Sequence, residues 1–129
     1  MIEILFADDD PAMREMVSQV FGSAGYRIRL AENGGEALEE LRLSEPDIAV
    51  LDYRMGSPDG LEVCREIKTD PRLEHVPVLI LTVSRDEEDA LGALAGGARG
   101  YVLKDGPLED LDGGRLRPLA VLIVQDDGG

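Results

Sequence analysis

The feature that most constrains the fold is a repeated alternation of short apolar runs with amphipathic helical patterns. Five apolar runs of strand length are separated by segments whose apolar residues recur every three or four positions. The predicted strands are Ile2–Ala7, Tyr26–Leu30, Asp47–Leu51, Pro77–Thr82 and Gly100–Leu103. Strands that alternate with helices in this way are typical of a parallel sheet covered by helices. We therefore expect an α/β domain with helices on both faces of its sheet.

Four helices are predicted between these strands. The first begins at Pro11 with Asp10 as its N-cap, because proline is favoured at the first helical position and an aspartate accepts hydrogen bonds from the free amides. The other three predicted helices are Glu36–Leu43, Leu61–Thr69 and Asp86–Ala95. The alternation of strand and helix is thus regular up to the fifth strand.

The C-terminal part of the chain departs from this rhythm. Leu108–Asp112 begins like a fifth helix, but two glycines and Pro118 interrupt it, and Leu119–Val124 has the character of a strand. Three interpretations stay open: a degenerate last helix, an extra strand that pairs with another chain, or the start of a truncated second domain. We therefore assign residues 1–108 to the domain core and residues 109–129 to an atypical C-terminal segment.

Composition argues against several classes of function. The chain has 129 residues, which suits one domain, and its formal net charge of −14 opposes binding to nucleic acid or to an anionic membrane. Its apolar runs fall far short of the roughly 20 residues of a membrane-spanning helix, and the N-terminus lacks the basic start of a secretory signal. One cysteine and one histidine exclude an internal disulfide and a multi-histidine metal site. We expect a cytoplasmic protein whose metal, if it binds one, is a hard, oxygen-binding cation.

Polar side chains collect at the predicted carboxyl ends of the strands, where α/β sheets bind ligands. Asp8 and Asp9 follow the first strand, and Asp52 follows the third. Thr82 ends the fourth strand, and Lys104 follows the fifth. Three carboxylates held together repel one another, and a Mg²⁺ ion relieves this repulsion. Because a carboxylate can accept a phosphoryl group, the set predicts Mg²⁺-assisted phosphorylation of an aspartate.

Four segments at these strand ends make the chain resemble the receiver domain of two-component response regulators. They are ILFADDDPAMRE, VLDYRMGSPDG, VPVLILTVS and GYVLKDG, in the family's order and with its separations, from about Ile2 to Leu108. The resemblance implies a flavodoxin-like, doubly wound sheet of five parallel strands in the order 2-1-3-4-5. It implies a signalling domain, not an enzyme. Its partners would be a sensor histidine kinase or phosphotransfer protein, an unknown downstream effector and, in a homodimer, a second copy of itself.

The resemblance also implies how the acidic residues divide their roles. Asp52 is the phospho-acceptor and a metal ligand, and Asp9 is a direct Mg²⁺ ligand. Asp8 is its acidic neighbour, which acts through water, and the backbone carbonyl of Arg54 completes the protein ligands. Asp10 matches a position that is not a ligand in the family, which agrees with its interpretation as a helix cap.

Three further residues receive roles from the resemblance. Thr82 and Lys104 bind the phosphoryl group once it is on the acceptor aspartate. Tyr101 matches the switch aromatic, whose ring position is coupled to the Thr82 hydroxyl. Phosphorylation is therefore expected to move these residues and to change the surface beyond them, which is how a local change of charge reaches a partner.

Three departures from the family pattern keep an alternative open. Gly56 stands where the family usually has proline, Val83 where it usually has alanine, and Asp105 where proline usually follows the lysine. A receiver fold with these changes could be a pseudo-receiver, which takes no phosphate and acts as a protein-interaction module. The Asp-x-Asp pattern after the first strand also occurs in Mg²⁺-dependent aspartate phosphatases. Here Pro11 and Ala12 replace the residues that follow it in those enzymes, which argues against that class.

Overall fold

The structure is a computed structural model that describes residues 1–82, 97–98 and 100–103, with the backbone alone at 82 and 100–103. The elements within these residues are, in chain order, β1 (Glu3–Ala7), α1 (Pro11–Ser23), β2 (Arg27–Ala31), α2 (Gly34–Leu43), β3 (Ile48–Asp52), α3 (Gly60–Thr69), β4 (Val78–Thr82) and β5 (Gly100–Leu103). The five predicted strands and the first three predicted helices are all present. The predicted helix Asp86–Ala95 and the C-terminal segment 109–129 lie outside the described residues.

The five strands form one parallel sheet in the order β2-β1-β3-β4-β5, as predicted. Ala7 at the end of β1 lies opposite Ala31 of β2 on one side and Leu51 of β3 on the other. The chain thus leaves β1 for β2 on one side and then crosses to β3 on the opposite side. This reversal creates a switch point at the carboxyl ends of β1 and β3, where sheets of this kind bind ligands.

Helices cover both faces of the sheet because successive strand residues point to opposite sides. Ile4 and Phe6 of β1 face α1, where they pack with Val17 and Phe21. Leu5 of β1 belongs to the opposite core, which α2 and α3 cover. That second core includes Leu38, Leu41, Leu51, Cys64, Ile67 and Ile80. Among the described residues, no helix combines the length and apolar character needed to cross a membrane.

The first helix begins as predicted. Pro11 is its first residue, and the Asp10 carboxylate accepts a hydrogen bond of 2.9 Å from the amide of Ala12. This bond satisfies one of the amides that a helix N-terminus leaves without an intrahelical acceptor. Asp10 is therefore a cap, and the start of α1 is set by the turn that directly follows Asp8 and Asp9.

The predicted start of α2 at Glu36 is wrong by two residues. The helix begins at Gly34, and the side chain of Asn33 caps it by accepting a bond of 2.8 Å from the Glu36 amide. Glycine is a poor helix former, so helix propensity disfavours a helix start at Gly34 and Gly35. Packing explains Gly34, because a Cβ there would overlap with the Pro58 carbonyl oxygen.

Candidate functional site

Three predicted site residues meet at the switch point of the sheet. Asp8 and Asp9 directly follow β1, and Asp52 is the last residue of the adjacent strand β3. Each residue places a carboxylate oxygen within 4.8 Å of the oxygens of the other two. Asp8 and Asp52 are buried, whereas Asp9 is exposed. We call these three residues the aspartate cluster.

Asp8 is held by contacts with three neighbouring parts of the fold. Its amide donates to the carbonyl of Ala31 at the end of β2, at 3.1 Å. Its carboxylate accepts a bond of 3.0 Å from the amide of Asp10. Its backbone carbonyl accepts a bond of 2.9 Å from the guanidinium of Arg14 on α1. The turn after β1 is therefore fixed from its own backbone, from β2 and from α1.

Asp52 is held by the strand and by the loop that follows it. The amide of Tyr53 donates to the carbonyl of Leu81 on β4 at 2.8 Å, so pairing with β4 extends past Asp52. The amide of Gly60 donates to the carbonyl of Tyr53 at 2.9 Å, which closes the loop. A Cβ on Gly60 would lie 2.5 Å from the Asp52 carbonyl oxygen. Glycine is required there because the start of α3 lies directly against the Asp52 backbone.

The loop after β3 explains one departure from the family pattern. Gly56 has a φ of 91°, in the region that favours glycine. Proline fixes φ near −65° and cannot adopt this conformation. The loop therefore follows a path that excludes the proline expected at this position. In the same loop Arg54 is exposed, and its guanidinium carbon lies 5.3 Å from the centre of the Tyr53 ring.

The donors of the aspartate cluster fit a hard divalent cation. All three offer carboxylate oxygens, the ligands that Mg²⁺ and Ca²⁺ prefer over nitrogen or sulfur. Mg²⁺ in particular is held by one or two carboxylates and keeps several waters. The exposed side of the cluster, at Asp9, leaves room for such waters and for phosphate oxygens. A positive ion there would offset the repulsion among three close negative charges.

The remaining predicted site residues are described only in part. Thr82 is the last residue of β4, and its backbone lies opposite Leu103 of β5. Tyr101 lies in β5, with its backbone opposite Ile80. Both strands bring their carboxyl ends to the edge of the sheet that carries the aspartate cluster. Lys104 and the positions Val83 and Asp105 lie outside the described residues, so the functional roles assigned to this group stay predictions.

The sequence alone did not single out Arg14. It lies on α1, and an arginine on a helix is most often a solvated side chain. In the structure its side chain is only 16% exposed and reaches back to the carbonyl of Asp8. The Arg14 guanidinium also lies 3.8 Å from the carboxylate of Glu32, the residue that directly follows β2. The spacing of six residues from Asp8 gives no general signal for such a contact.

The family model of the response regulator receiver domain matches residues 4–113. The chain belongs to this family. Among curated relatives, response regulator MprA of Mycolicibacterium vanbaalenii is 37% identical over 98% of this chain, and MprA of Mycobacterium leprae is also 37% identical over 98%. The receiver domain covers 54% of each of these relatives, so it spans about half the length of the curated proteins it matches. The predicted identity, a receiver domain of two-component signalling, is confirmed.

Solved structures agree with the receiver fold. A response regulator from Chloroflexus aurantiacus superposes with a TM-score of 0.83 at 27% identity, covering 95% of this receiver domain and 98% of that chain. The chemotaxis protein CheY4 of Vibrio cholerae gives 0.82 at 29% identity, covering 93% and 97%. The response regulator Rcp1, in its Mn²⁺-bound form, gives 0.74 at 26% identity, covering 81% of both chains.

Proposed function

We propose that this receiver domain is a Mg²⁺-dependent phospho-acceptor that takes a phosphoryl group on Asp52. The donor would be a sensor histidine kinase or a phosphotransfer protein, as in a phosphorelay. One observation carries the proposal: Asp52 ends β3 with its carboxylate within 4.8 Å of those of Asp8 and Asp9. The Mn²⁺-bound form of Rcp1 supports the choice of a divalent cation, because that relative has the same fold.

The phosphoryl transfer can be written in terms of this chain's own residues. A carboxylate oxygen of Asp52 forms a bond to phosphorus while the bond from phosphorus to the donor breaks, and the donor atom keeps the electron pair and takes up a proton. The aspartate cluster and the Arg54 carbonyl would hold a cation, which would supply the positive charge that this transfer needs. The Thr82 hydroxyl and the Lys104 ammonium then bind the transferred oxygens.

The consequence of the transfer is a change of charge at a buried position. Asp52 is only 4% exposed, so the added negative charge must be met by groups of the protein and by the cation. Thr82 moves toward the phosphoryl group, and Tyr101 occupies the space that this movement opens. A downstream effector then binds the altered surface. Formation of a homodimer, cytoplasmic location and the absence of a nucleic-acid partner stay predictions.

Phosphorylation can be tested with a small donor and intact-mass measurement. The wild type is incubated with acetyl phosphate, with and without Mg²⁺, and compared with Asp52→Asn. We expect a gain of one phosphoryl group that requires Mg²⁺, is removed by hydroxylamine as an acyl phosphate would be, and is absent in the variant.

Asp10→Asn is the matched control for this experiment. It makes the same chemical change beside the cluster, and asparagine caps a helix about as well as aspartate. This variant should still take one phosphoryl group. A wild type that binds Mg²⁺ but gains no mass would contradict the proposal and support the pseudo-receiver alternative. A gain that persists in Asp52→Asn would place the acceptor elsewhere.

A further inference from the structure

Arg14 is a charged side chain that contacts the aspartate cluster, and the phosphoryl transfer does not use its contacts. It lies on the first turn and a half of α1, with its amide bonded to the Asp10 carbonyl as part of the helix. Its guanidinium donates to the carbonyl of Asp8 at 2.9 Å. A second nitrogen lies 3.8 Å from the Glu32 carboxylate. With 16% of its side chain exposed, Arg14 is largely withdrawn from water.

The carbonyl that Arg14 holds belongs to the peptide bond between Asp8 and Asp9. A peptide group is planar, so fixing its oxygen fixes the orientation in which the chain leaves Asp8 and enters Asp9. Asp8 is also held by its buried environment and by the Asp10 amide. Asp9 is exposed, and packing therefore contributes little to its orientation. The planar peptide that Arg14 holds is therefore one of the constraints on the position of Asp9.

We propose that Arg14 is a positioning residue that orients the Asp8–Asp9 peptide and thereby brings the Asp9 carboxylate into the cation site. This inference deepens the function proposed above and rests on it. Arg14 does not touch the cation or the phosphoryl group. It acts through the backbone, in the way that groups behind metal ligands fix the ligands of a site.

If Arg14 positions Asp9, its removal should change the Mg²⁺ affinity in one direction, and if only its charge matters, in the opposite direction. A guanidinium repels a cation, so if its charge were all that mattered, Arg14→Met would bind Mg²⁺ more tightly than the wild type. If Arg14 positions Asp9, the same variant binds Mg²⁺ more weakly, by roughly tenfold as for other groups behind metal ligands. The sign of the change in Mg²⁺ affinity therefore separates the two roles.

Two further variants complete the design. Arg14→Lys keeps the charge, but an ammonium lacks the planar fork that reaches both the Asp8 carbonyl and Glu32. We expect its Mg²⁺ affinity to fall between the wild type and Arg14→Met. Arg27→Met is the matched control, because Arg27 lies at the amino end of β2, opposite Glu3 and away from the cluster. Its Mg²⁺ affinity should equal that of the wild type.

The measurement is isothermal titration with MgCl₂ at a temperature where circular dichroism shows every variant to be folded. An unchanged stoichiometry with a weaker affinity in Arg14→Met is the expected result. A parallel titration of the rate of phosphorylation by acetyl phosphate against Mg²⁺ concentration should show a raised half-maximal concentration. Most of the rate should return at saturating Mg²⁺, which a general loss of structure would not allow.

Equal or tighter Mg²⁺ binding by Arg14→Met overturns the inference, and so does a wild type that binds no Mg²⁺. The function proposed above can fail separately. If the wild type binds Mg²⁺ but takes no phosphate, calorimetry still shows whether Arg14 positions Asp9. If the wild type is phosphorylated on Asp52 and Arg14→Met matches it in Mg²⁺ affinity, the phospho-acceptor stands and the role of Arg14 is rejected.

Discussion

The two ends of the sheet differ in the partners of their acidic side chains. At the amino end, the Arg29 guanidinium of β2 lies 3.1 Å from the Glu3 carboxylate and 3.0 Å from that of Glu40. It also donates to the carbonyls of Ser44 and Glu40. We call these residues the arginine network. At the carboxyl end, the aspartate cluster instead brings three carboxylates within 4.8 Å of one another.

This difference distinguishes charged residues that stabilise the fold from charged residues that form the candidate site. In the arginine network the Arg29 guanidinium contacts two carboxylates and two carbonyls of the protein, and the Arg29 side chain is only 18% exposed. The aspartate cluster concentrates negative charge at the switch point of the sheet, the place where sheets of this kind bind ligands. Such a site would be stabilised most by a cation bound from solution. Stability should therefore depend on added cation at the carboxyl end and not at the amino end.

The largest effect is expected from Arg29→Met at the amino end. Removing one partner of a buried ion pair costs about 3–5 kcal/mol, and the partial exposure of Arg29 places this variant near the lower figure. Urea denaturation should show a free energy of unfolding lower by about 3 kcal/mol. The control Arg27→Met removes a side chain that is 68% exposed and 3.9 Å from Glu3, so its effect should stay within about 0.5 kcal/mol. Equal losses in both variants would refute the special role of the network.

The second effect is stabilisation by Mg²⁺ at the carboxyl end. A ligand that binds only the folded state at a hundred times its dissociation constant adds about 2.7 kcal/mol. Thermal denaturation with and without Mg²⁺ should show this gain in the wild type and a smaller one in Asp9→Asn. Arg29→Met should gain as much as the wild type, because distant sites contribute independently. A gain that disappears in Arg29→Met would show that the two ends are coupled.

The sequence predicted the inner strands β1 and β3 well because they are buried and so are almost continuously apolar. Ile48–Asp52 is buried along its whole length, which leaves few alternatives to a central strand. The start of α2 was harder to predict, because Gly34 is favoured there by contact with Pro58, a residue far along the chain. Helix propensity carries no information about such a contact.

The candidate site was predictable for a similar reason. Asp8, Asp9 and Asp52 stand at the ends of strands, and a parallel sheet brings those ends to one edge whatever the details of packing. Arg14 and Arg29 could not be predicted to hold the backbone. An arginine in a helix or a strand gives no sign of which carbonyl its side chain reaches, since that depends on the tertiary fold.

A smaller effect, of opposite sign to that of Arg29→Met, is expected from Asp9→Asn without Mg²⁺. Two charges about 4 Å apart repel by about 1 kcal/mol when water surrounds them, and Asp9 is exposed. Neutralising it should raise the free energy of unfolding by about 0.5–1 kcal/mol at low salt. The gain should shrink at high salt, where repulsion is screened. Asp10→Asn, outside the cluster, should change stability little, and an equal gain there would mean that total charge matters rather than the cluster.

The smallest effect concerns Cys64 on α3, which lies in the core between the two ends and is fully buried. Burial raises the pKa of the Cys64 thiol, and the nearby Lys68 and Arg65 oppose this only in part. The folded state therefore keeps the thiol protonated at a pH where the unfolded chain begins to lose that proton. Its contribution to stability is complete below the pKa of the unfolded thiol and is lost as the pH rises toward the folded value.

At a pH equal to the pKa of the unfolded thiol, this loss amounts to about 0.4 kcal/mol. Urea denaturation of the wild type and of Cys64→Ala at neutral and at alkaline pH measures it. The alanine variant is less stable at every pH because of the cavity it leaves. The difference in free energy of unfolding between the two proteins should nevertheless become smaller as the pH rises. A constant difference would mean that the thiol ionises as readily in the core as in the unfolded chain.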